Sequence, residues 1–404
     1  MKNKKMIKIG KIDKKLIIPI LAGILYLPFY IISEKMILQN HFIIFSLCSA
    51  MGMILSIIPL LISKYNMKRA MSNKTINKIN KKTVEIQLIY NKSSDEIKRY
   101  KHFYLFLSSI TDFLQSIIAV ITFQANIRVN FCLFDIIFIS ILSYVVLNIK
   151  LLKHQIISMT IIVISGLIVD FFIGNLRDLL NNFGYILLRL FCEFSFSFTQ
   201  IINKYCMDYK FVSPYEVCFF LGIFTFIYYL ISLIISSNVS CHLNFCYVED
   251  KNKNKYFDKF SIYIENVDKK ESFYFILEMI ILSLINILTL LTIKYFTPFH
   301  SIIILIIGRI NFTIDKFIDG NSKLEDIIHI IFFIFILFGL LIYFEIIILN
   351  FCGIQTNTKD NIEKRGILDT NMTINDDNNS REDTLTEINE INEESYSSHN
   401  SSIF

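Results

Sequence analysis

The sequence predicts an all-α, polytopic membrane protein of about ten transmembrane helices, arranged as two inverted five-helix repeats. Three observations carry that expectation. Hydrophobic residues make up 53% of the chain and charged residues 19%, which is more apolar and less charged than a soluble domain. The apolar residues gather into runs of about 20, the length a helix needs to cross ~30 Å of hydrocarbon. The two long internal polar interruptions fall at matching places, each after the second run of a set of five.

Taken in order, residues 1–15 form a basic cytosolic arm with seven lysines. The first repeat occupies 16–173, with spans at 16–32, 42–63, 103–123, 131–149 and 155–172 and a polar loop at 64–101. The first run is long and lacks a small-x-small cleavage site, so it reads as a retained helix and not a signal peptide. The second repeat occupies 184–349, with spans at 184–202, 214–236, 272–293, 298–318 and 324–349. A short polar link at 204–213 joins its first two spans, and a polar loop at 237–271 follows them. Residues 350–404, rich in Asn, Asp, Glu, Ser and Thr, are expected to be a disordered cytosolic tail. Five spans is an odd number, so the second set inserts upside down relative to the first, and a site near the midplane between the halves follows.

Lysine and arginine placement puts both termini in the cytosol. The inside collects the arm, the 64–101 loop, Lys150, Lys153, Lys204 and Lys210, while the short outside links carry mainly Lys35, Arg128 and Arg177. The 237–271 loop falls outside, with six lysines and as many acids. It holds the sequon Asn238-Val239-Ser240 and two cysteines, Cys241 and Cys246, that an oxidising compartment lets pair. The plasma membrane and endomembranes such as Golgi or vesicles both fit. Cysteines inside the spans, Cys48, Cys132, Cys192 and Cys218, read as small buried hydrophobes.

The span at 184–202 carries the most informative polar pattern. At ~100° per residue, Arg189, Glu193, Ser197, Gln200 and Lys204 fall within an arc of roughly 80°, so the helix is expected to line a path along its length. The third span contributes Ser108, Asp112, Gln115 and Ser116 on one face. Asp112 sits near its middle, where a carboxylate is costly unless it faces protein or water. Asn286 in the eighth span and Arg309 in the ninth complete the candidate substrate-binding set of Asp112, Gln115, Glu193, Gln200, Asn286 and Arg309. A guanidinium at membrane depth suits an anionic group through its two-bond fork. Arg189 and Glu193, four residues apart, also read as a self-neutralising structural pair, and Asp112 also reads as an interhelical hydrogen bond.

The net charge of +5 belongs to span-flanking residues and carries no nucleic-acid signal. Walker-type glycine loops, HExxH, G-x-S-x-G and zinc-spaced cysteines do not occur, so no catalytic residue, metal or cofactor is expected, and any transport is expected to run on a substrate gradient, exchange or a proton.

Several stretches resemble the drug/metabolite transporter superfamily (EamA-like), and within it the nucleotide-sugar-transporter-like branch of protist and fungal members. They are the Asp112 helix and Gln200 leading through Asn203-Lys204-Tyr205 to Val212-Ser213-Pro214-Tyr215-Glu216. Leu221-Gly222-Ile223-Phe224, Tyr295-Phe296-Thr297-Pro298-Phe299-His300 and the exit from Glu345 through Asn350-Phe351-Cys352-Gly353-Ile354 to Asn357-Thr358-Lys359 belong with them. The resemblance covers residues 16–350. It implies ten helices in two inverted repeats, cytosolic ends, and a central cavity near Asp112 and Gln200. The chain departs from the pattern at Phe191-Cys192-Glu193 and in lacking a sugar-nucleotide signature.

The expected function is secondary-active transport or exchange of a small polar or anionic metabolite by alternating access. The partners expected are that small molecule, the lipid bilayer and, in a homodimer, a second copy of the chain. Two readings from other classes stand beside it: a non-transporting membrane scaffold or receptor whose tail recruits partners, and a multi-pass lipid-modifying enzyme, for which His300 is the sole support.

Overall fold

The computed structural model describes residues 7–9, 14–34, 41–72, 100–124, 132–149, 151–173, 183–241, 246, 248–249, 254–302, 304–305, 307 and 324–349. These are mostly helical. The first half contains α1 (Ile17–Glu34), α2 (Phe42–Ile54), α3 (Ile57–Ser72), α4 (Lys101–Gln124), α5 (Cys132–Leu147) and α6 (Lys153–Ile173). The second contains α7 (Phe183–Tyr209), α8 (Pro214–Asn238), α9 (Phe260–Asn266), α10 (Lys269–Tyr295) and α11 (Leu324–Tyr343).

Among the described residues, four stretches are long and apolar enough to cross a membrane: Phe42–Asn66, Lys101–Thr122, Pro214–Asn238 and Lys269–Tyr295. Shorter apolar helices lie at Ile17–Phe29, Phe134–Leu147, Lys153–Ser165 and Ile334–Tyr343. Burial is distributed as lipid requires. On α8, Ile227, Leu230, Ile231, Ile234 and Ile235 are exposed while Thr225 is fully buried, so the apolar stripe faces outward and polar groups face the protein. The chain is a helical membrane protein.

Helix starts follow local signals. Ser213 accepts a hydrogen bond from the Glu216 N–H at 3.1 Å, with proline in the first turn of α8. Asp268 accepts from the Glu271 N–H at 2.7 Å at the start of α10. Both are Ser/Asp-x-x-Glu arrangements that satisfy amides left free at a helix start. α5 and α7 end with Asn148 and Phe211 in the left-handed region (φ 57° and 53°). The following amides, Ile149 and Val212, reach back to the Ser143 and Cys206 carbonyls, both at 3.1 Å, which closes each helix in the Schellman manner.

Boundaries differ from expectation at four places. The second span is broken by a turn at Leu55 and Ser56, where the Ser56 hydroxyl donates to the Tyr215 carbonyl at 3.1 Å. α3 then continues through Ser72, into the segment read as loop. α7 runs on to Tyr209, so most of the expected 204–213 link is helix. The cause is Lys204, which is buried, donates to the Lys294 carbonyl at 3.0 Å and pairs with Asp208 at 3.2 Å. The last span stops at Tyr343, because Glu345 turns into the left-handed region (φ 58°) and Ile347–Leu349 forms a strand. Most of the expected ninth span, the bulk of the 64–101 loop and the 350–404 tail lie outside the described residues.

The chain divides into two compact units. Of the described residues, one holds 7–9, 152–156 and 341–349. In it, β1 (Ile7–Ile9) pairs antiparallel with β4 (Ile347–Leu349), Ile7 opposite Leu349, and His154 Nε2 lies 3.2 Å from Glu345 Oε1. The other unit, Ile12–Leu151 and Ile157–Leu340, holds the helix bundle. Its core includes Ile43, Leu105, Val217, Cys218, Ile285 and Ile293, contributed by α2, α4, α8 and α10. The 237–271 segment, read as a plain loop, carries a small ribbon of β2 (Val248–Glu249) and β3 (Lys255–Tyr256), helix α9 and a Cys241–Cys246 disulfide. The cysteines at 48, 192, 206 and 218 are free and buried.

Two glycines let helices touch backbone to backbone. A Cβ on Gly52 of α2 would come within 2.5 Å of the Met279 carbonyl oxygen on α10. One on Gly222 of α8 would meet the Ile54 nitrogen at 2.8 Å. Gly52→Ala and Gly222→Ala are each expected to cost about 1–3 kcal/mol through overpacking, read as a lower thermal midpoint in detergent. Gly184→Ala, where a Cβ meets nothing within 4 Å, should leave the midpoint unchanged or slightly raised.

Candidate functional site

A cavity of about 320 Å³ opens inside the bundle, between α2, α4, α7, α8 and α10. That is the lower end of the range for small-molecule sites. Its walls mix aromatic and aliphatic groups such as Phe42, Phe45 and Leu290 with a polar set from each of the five helices.

Asp112 is the one charged residue among the described lining. It sits midway along α4, in a window apolar enough to span the membrane. Among the described residues no lysine, arginine or histidine pairs with it. Ser116, one turn on, spends its hydroxyl on the Asp112 backbone carbonyl at 3.0 Å. The carboxylate is therefore left to the cavity.

α4 and α7 are fastened beside this group by two side-chain bonds. Ser108 donates to Asn203 Oδ1 at 2.7 Å, and the Thr111 and Thr199 hydroxyls lie 2.7 Å apart. They hold Gln200 against the cavity. Gln200 is 7% exposed, and its side-chain oxygen is buried with no hydrogen-bond partner. A buried acceptor left unsatisfied costs about 1–3 kcal/mol, so it is poised for a donor on a bound molecule. Asn286 and Thr289, one turn apart on α10, and Ser46 and Ser49, one turn apart on α2, face the same space.

Of the candidate residues, Asp112, Gln115, Gln200 and Asn286 come together in this cavity. Glu193 does not line it. It is 4% exposed and its Oε1 lies 2.5 Å from Arg189 Nη2, one turn earlier on α7. This places it about 10 Å along the helix from Gln200. Arg309 lies outside the described residues.

The polar stripe of α7 is thus divided and does not line one continuous path. Arg189 and Glu193 serve each other, the Ser197 hydroxyl donates to the Asp135 carbonyl on α5 at 3.3 Å, Gln200 reaches the cavity, and Lys204 binds the Lys294 carbonyl.

The candidate set left out Ser46, Ser49, Thr199, Tyr229 and Thr289, and Asn203, which was named only in the stretch that carries the resemblance; all of them line the cavity. The available signal was pairs of small polar residues three or four apart inside apolar spans: Ser46 with Ser49, Thr199 with Asn203, Asn286 with Thr289. Among the described residues no three of His, Cys, Asp and Glu gather as a metal would need. The arrangement can hold a small polar molecule by one carboxylate and several amide and hydroxyl groups. No protein-family model matches the chain, and no curated protein matches it.

Proposed function

We propose that the protein is a secondary transporter or exchanger that carries a small polar metabolite by alternating access, built on the drug/metabolite-transporter plan its sequence resembles. The observation that carries this reading is the cavity: a carboxylate without a described counter-charge, midway along an apolar helix, and a buried glutamine oxygen without a partner beside it. Polar groups so placed are costly unless something polar visits them. The described lining offers no cation, which favours an uncharged or amine-bearing solute. An anion would depend on Arg309.

The finer architecture is part of the proposal, and the helix partnerships support it. In two inverted five-span repeats, each span of the first is equivalent to the one five places later, so contacts come in equivalent pairs. α1 packs on α10 as α4 packs on α7, and α2 packs on α10 as α4 packs on α8. α5 packs on α7, and the equivalent contact of the first span with the ninth is found where a Cβ on Gly23 would meet Ile307 Cβ at 2.6 Å. α2 with α8 maps onto itself, as does α6 with α11, joined by the Ser158 hydroxyl donating to the Gly339 carbonyl at 2.6 Å.

Both termini on one side is likewise supported. Residues before the first span and after the last pair as strands, and the first turn of α6 reaches the segment after the last span through His154, which lies 3.2 Å from Glu345. These are segments that charge placement puts in the cytosol. The Cys241–Cys246 disulfide suits a lumen or exterior for the 237–271 segment. In sealed vesicles of known orientation, a membrane-impermeant maleimide should label Cys241 and Cys246 only after an impermeant reductant is added on the side away from the termini. With Cys352 replaced by serine, labelling of Cys241 or Cys246 from the tail side would overturn this topology.

The direct test is uptake into vesicles reconstituted with purified protein, from pooled amino acids, amines, organic anions, nucleotides and nucleotide sugars. Uptake of one class establishes transport and its substrate together. No uptake by demonstrably folded protein refutes it and leaves the scaffold reading, in which deletion of 350–404 removes partner binding.

A further inference from the structure

We propose that Glu278 is a proton-binding site separate from the central cavity, and that its protonation is coupled to solute movement; the coupling rests on the transporter reading, the proton site does not. Glu278 lies in the third turn of α10 with no exposure, and neither carboxyl oxygen has a hydrogen-bond partner. The titratable groups that face it are Glu271 on its own helix, Cys48 of α2 and Tyr263 of α9. Glu271 stands seven residues before it, on the same face of α10, and is itself 7% exposed. α1, α7 and α8 also pack on α10, and among the described residues none of them sets a charged group against Glu278. His41, whose ring meets that of Tyr263 with centroids 5.3 Å apart, is engaged by Asp258 at 2.7 Å. Tyr263 lies outside the spans. Its burial, with Glu271, Cys48 and Glu278 beside it, pushes its phenol up to about 12, so it offers a neutral neighbour.

An ionised carboxylate here would be closed off from solvent with no donor and no counter-charge among the described residues, and it would repel Glu271. The side chain is accommodated only with its proton on. An alkali or alkaline-earth cation would need six or so oxygens around it. Neither oxygen of Glu278 has a polar partner, and among the described residues no metal-holding group of acids, histidines or cysteines exists. The ligand that fits is a proton.

α2 ties this site to the cavity. Cys48 faces Glu278, while Ser46 and Ser49 line the cavity. Gly52 sets α2 against the Met279 carbonyl, beside Glu278. Any shift of α2 against α10 that opens the cavity also changes the exposure of Glu278. On hydration the carboxyl O–H bond breaks, the proton passes to water on the open side, and a carboxylate remains until a proton from the other side restores the acid.

Infrared difference spectra of the full chain in lipid, recorded between acid and alkaline buffers, test the site without any solute. A protonated-carboxyl carbonyl band sensitive to H/D exchange is expected, absent in Glu278→Gln and moved in pH midpoint in Glu278→Asp. If both variants keep the wild-type band and midpoint, the site is overturned, whether or not the protein transports. For coupling, the probe is the radiolabelled solute that the pooled uptake screen identifies. With one proton per solute, a gradient of about one pH unit sustains about tenfold accumulation. Glu278→Gln should lose that accumulation and keep solute-for-solute exchange at the wild-type rate. Accumulation that persists in Glu278→Gln, or that follows sodium and not pH, overturns the coupling. Absence of uptake in every protein instead refutes the transporter reading alone.

Discussion

Asp112→Asn is expected to reduce solute affinity by about 10- to 150-fold while leaving expression and thermal midpoint near wild type. A hydrogen bond to a charged group contributes about 1.5–3 kcal/mol, and each 1.4 kcal/mol is tenfold. Asp112 is the one charge in the described lining, so this is the largest single effect available to a side chain there. The stability half of the expectation follows from the same geometry. Among the described residues no cation pairs with the Asp112 carboxylate, so its removal orphans nothing, and neutralising an uncompensated charge at membrane depth is neutral or favourable. A carboxylate that held two helices together would behave in the opposite way, losing stability before affinity. Gln200→Ala should do less, at most about tenfold, because it removes a neutral bond of about 0.5–1.5 kcal/mol. Glu193→Gln should leave affinity unchanged, since its partner is Arg189. The measurement is the concentration dependence of uptake in proteoliposomes at matched protein content. Wild-type affinity in Asp112→Asn, from protein with a wild-type midpoint, would remove Asp112 from the site.

The bundle was legible because lipid leaves few options: an apolar run of about 20 residues has to be a helix, and the described helices α1, α4, α5, α6, α8 and α10 lie where those runs do. What was not legible depends on partners distant in sequence. Lys204 ends an apolar run and looks like a membrane exit, yet it stays in the helix because Lys294, ninety residues on, offers a carbonyl. The 80° arc on α7 was sound as an angle, but its neighbours change with depth, from α5 at Ser197 to the cavity at Gln200. Asp112 and Gln115 could be found because charge and amide groups are rare in such spans. Thr289 could not, because a threonine in a helix can bond its own i−4 carbonyl, as this one does to Ile285 at 2.8 Å, and so looks the same whether it faces lipid, protein or a cavity.

Asp258→Ala is expected to destabilise the fold by about 3–5 kcal/mol, the cost of removing one partner from a buried charged network, and so to lower the thermal midpoint and the yield of folded protein sharply. The residue comes from a stretch that reads as polar loop, yet it has no exposure. Its two oxygens take four partners. Oδ2 accepts from the Ile43 and Ile44 N–H groups at 2.8 and 3.2 Å, while Oδ1 accepts from the Lys259 N–H at 2.8 Å and lies 2.7 Å from His41 Nδ1. Ile43 and Ile44 are in the first turn of α2, where amides lack partners within the helix, and His41, at the capping position, makes no side-chain cap of its own. Asp258 supplies that cap from more than 200 residues away, and its charge suits the positive end of the helix dipole. Alanine would leave two amides and an imidazole buried without their acceptor. Asparagine would keep one oxygen but turn an NH₂ toward donors, so it should fall between alanine and wild type. A total stability of about 5–15 kcal/mol makes the alanine loss a large share of the whole. The effect should also reach the cavity, because Ser46 and Ser49 sit in the next turn of α2; in whatever Asp258→Asn protein can be purified, solute affinity should fall with the midpoint. Thermal unfolding in detergent, with Gly184→Ala as the neutral control, decides it: a wild-type midpoint in Asp258→Ala would show that the start of α2 is held by packing and not by this carboxylate.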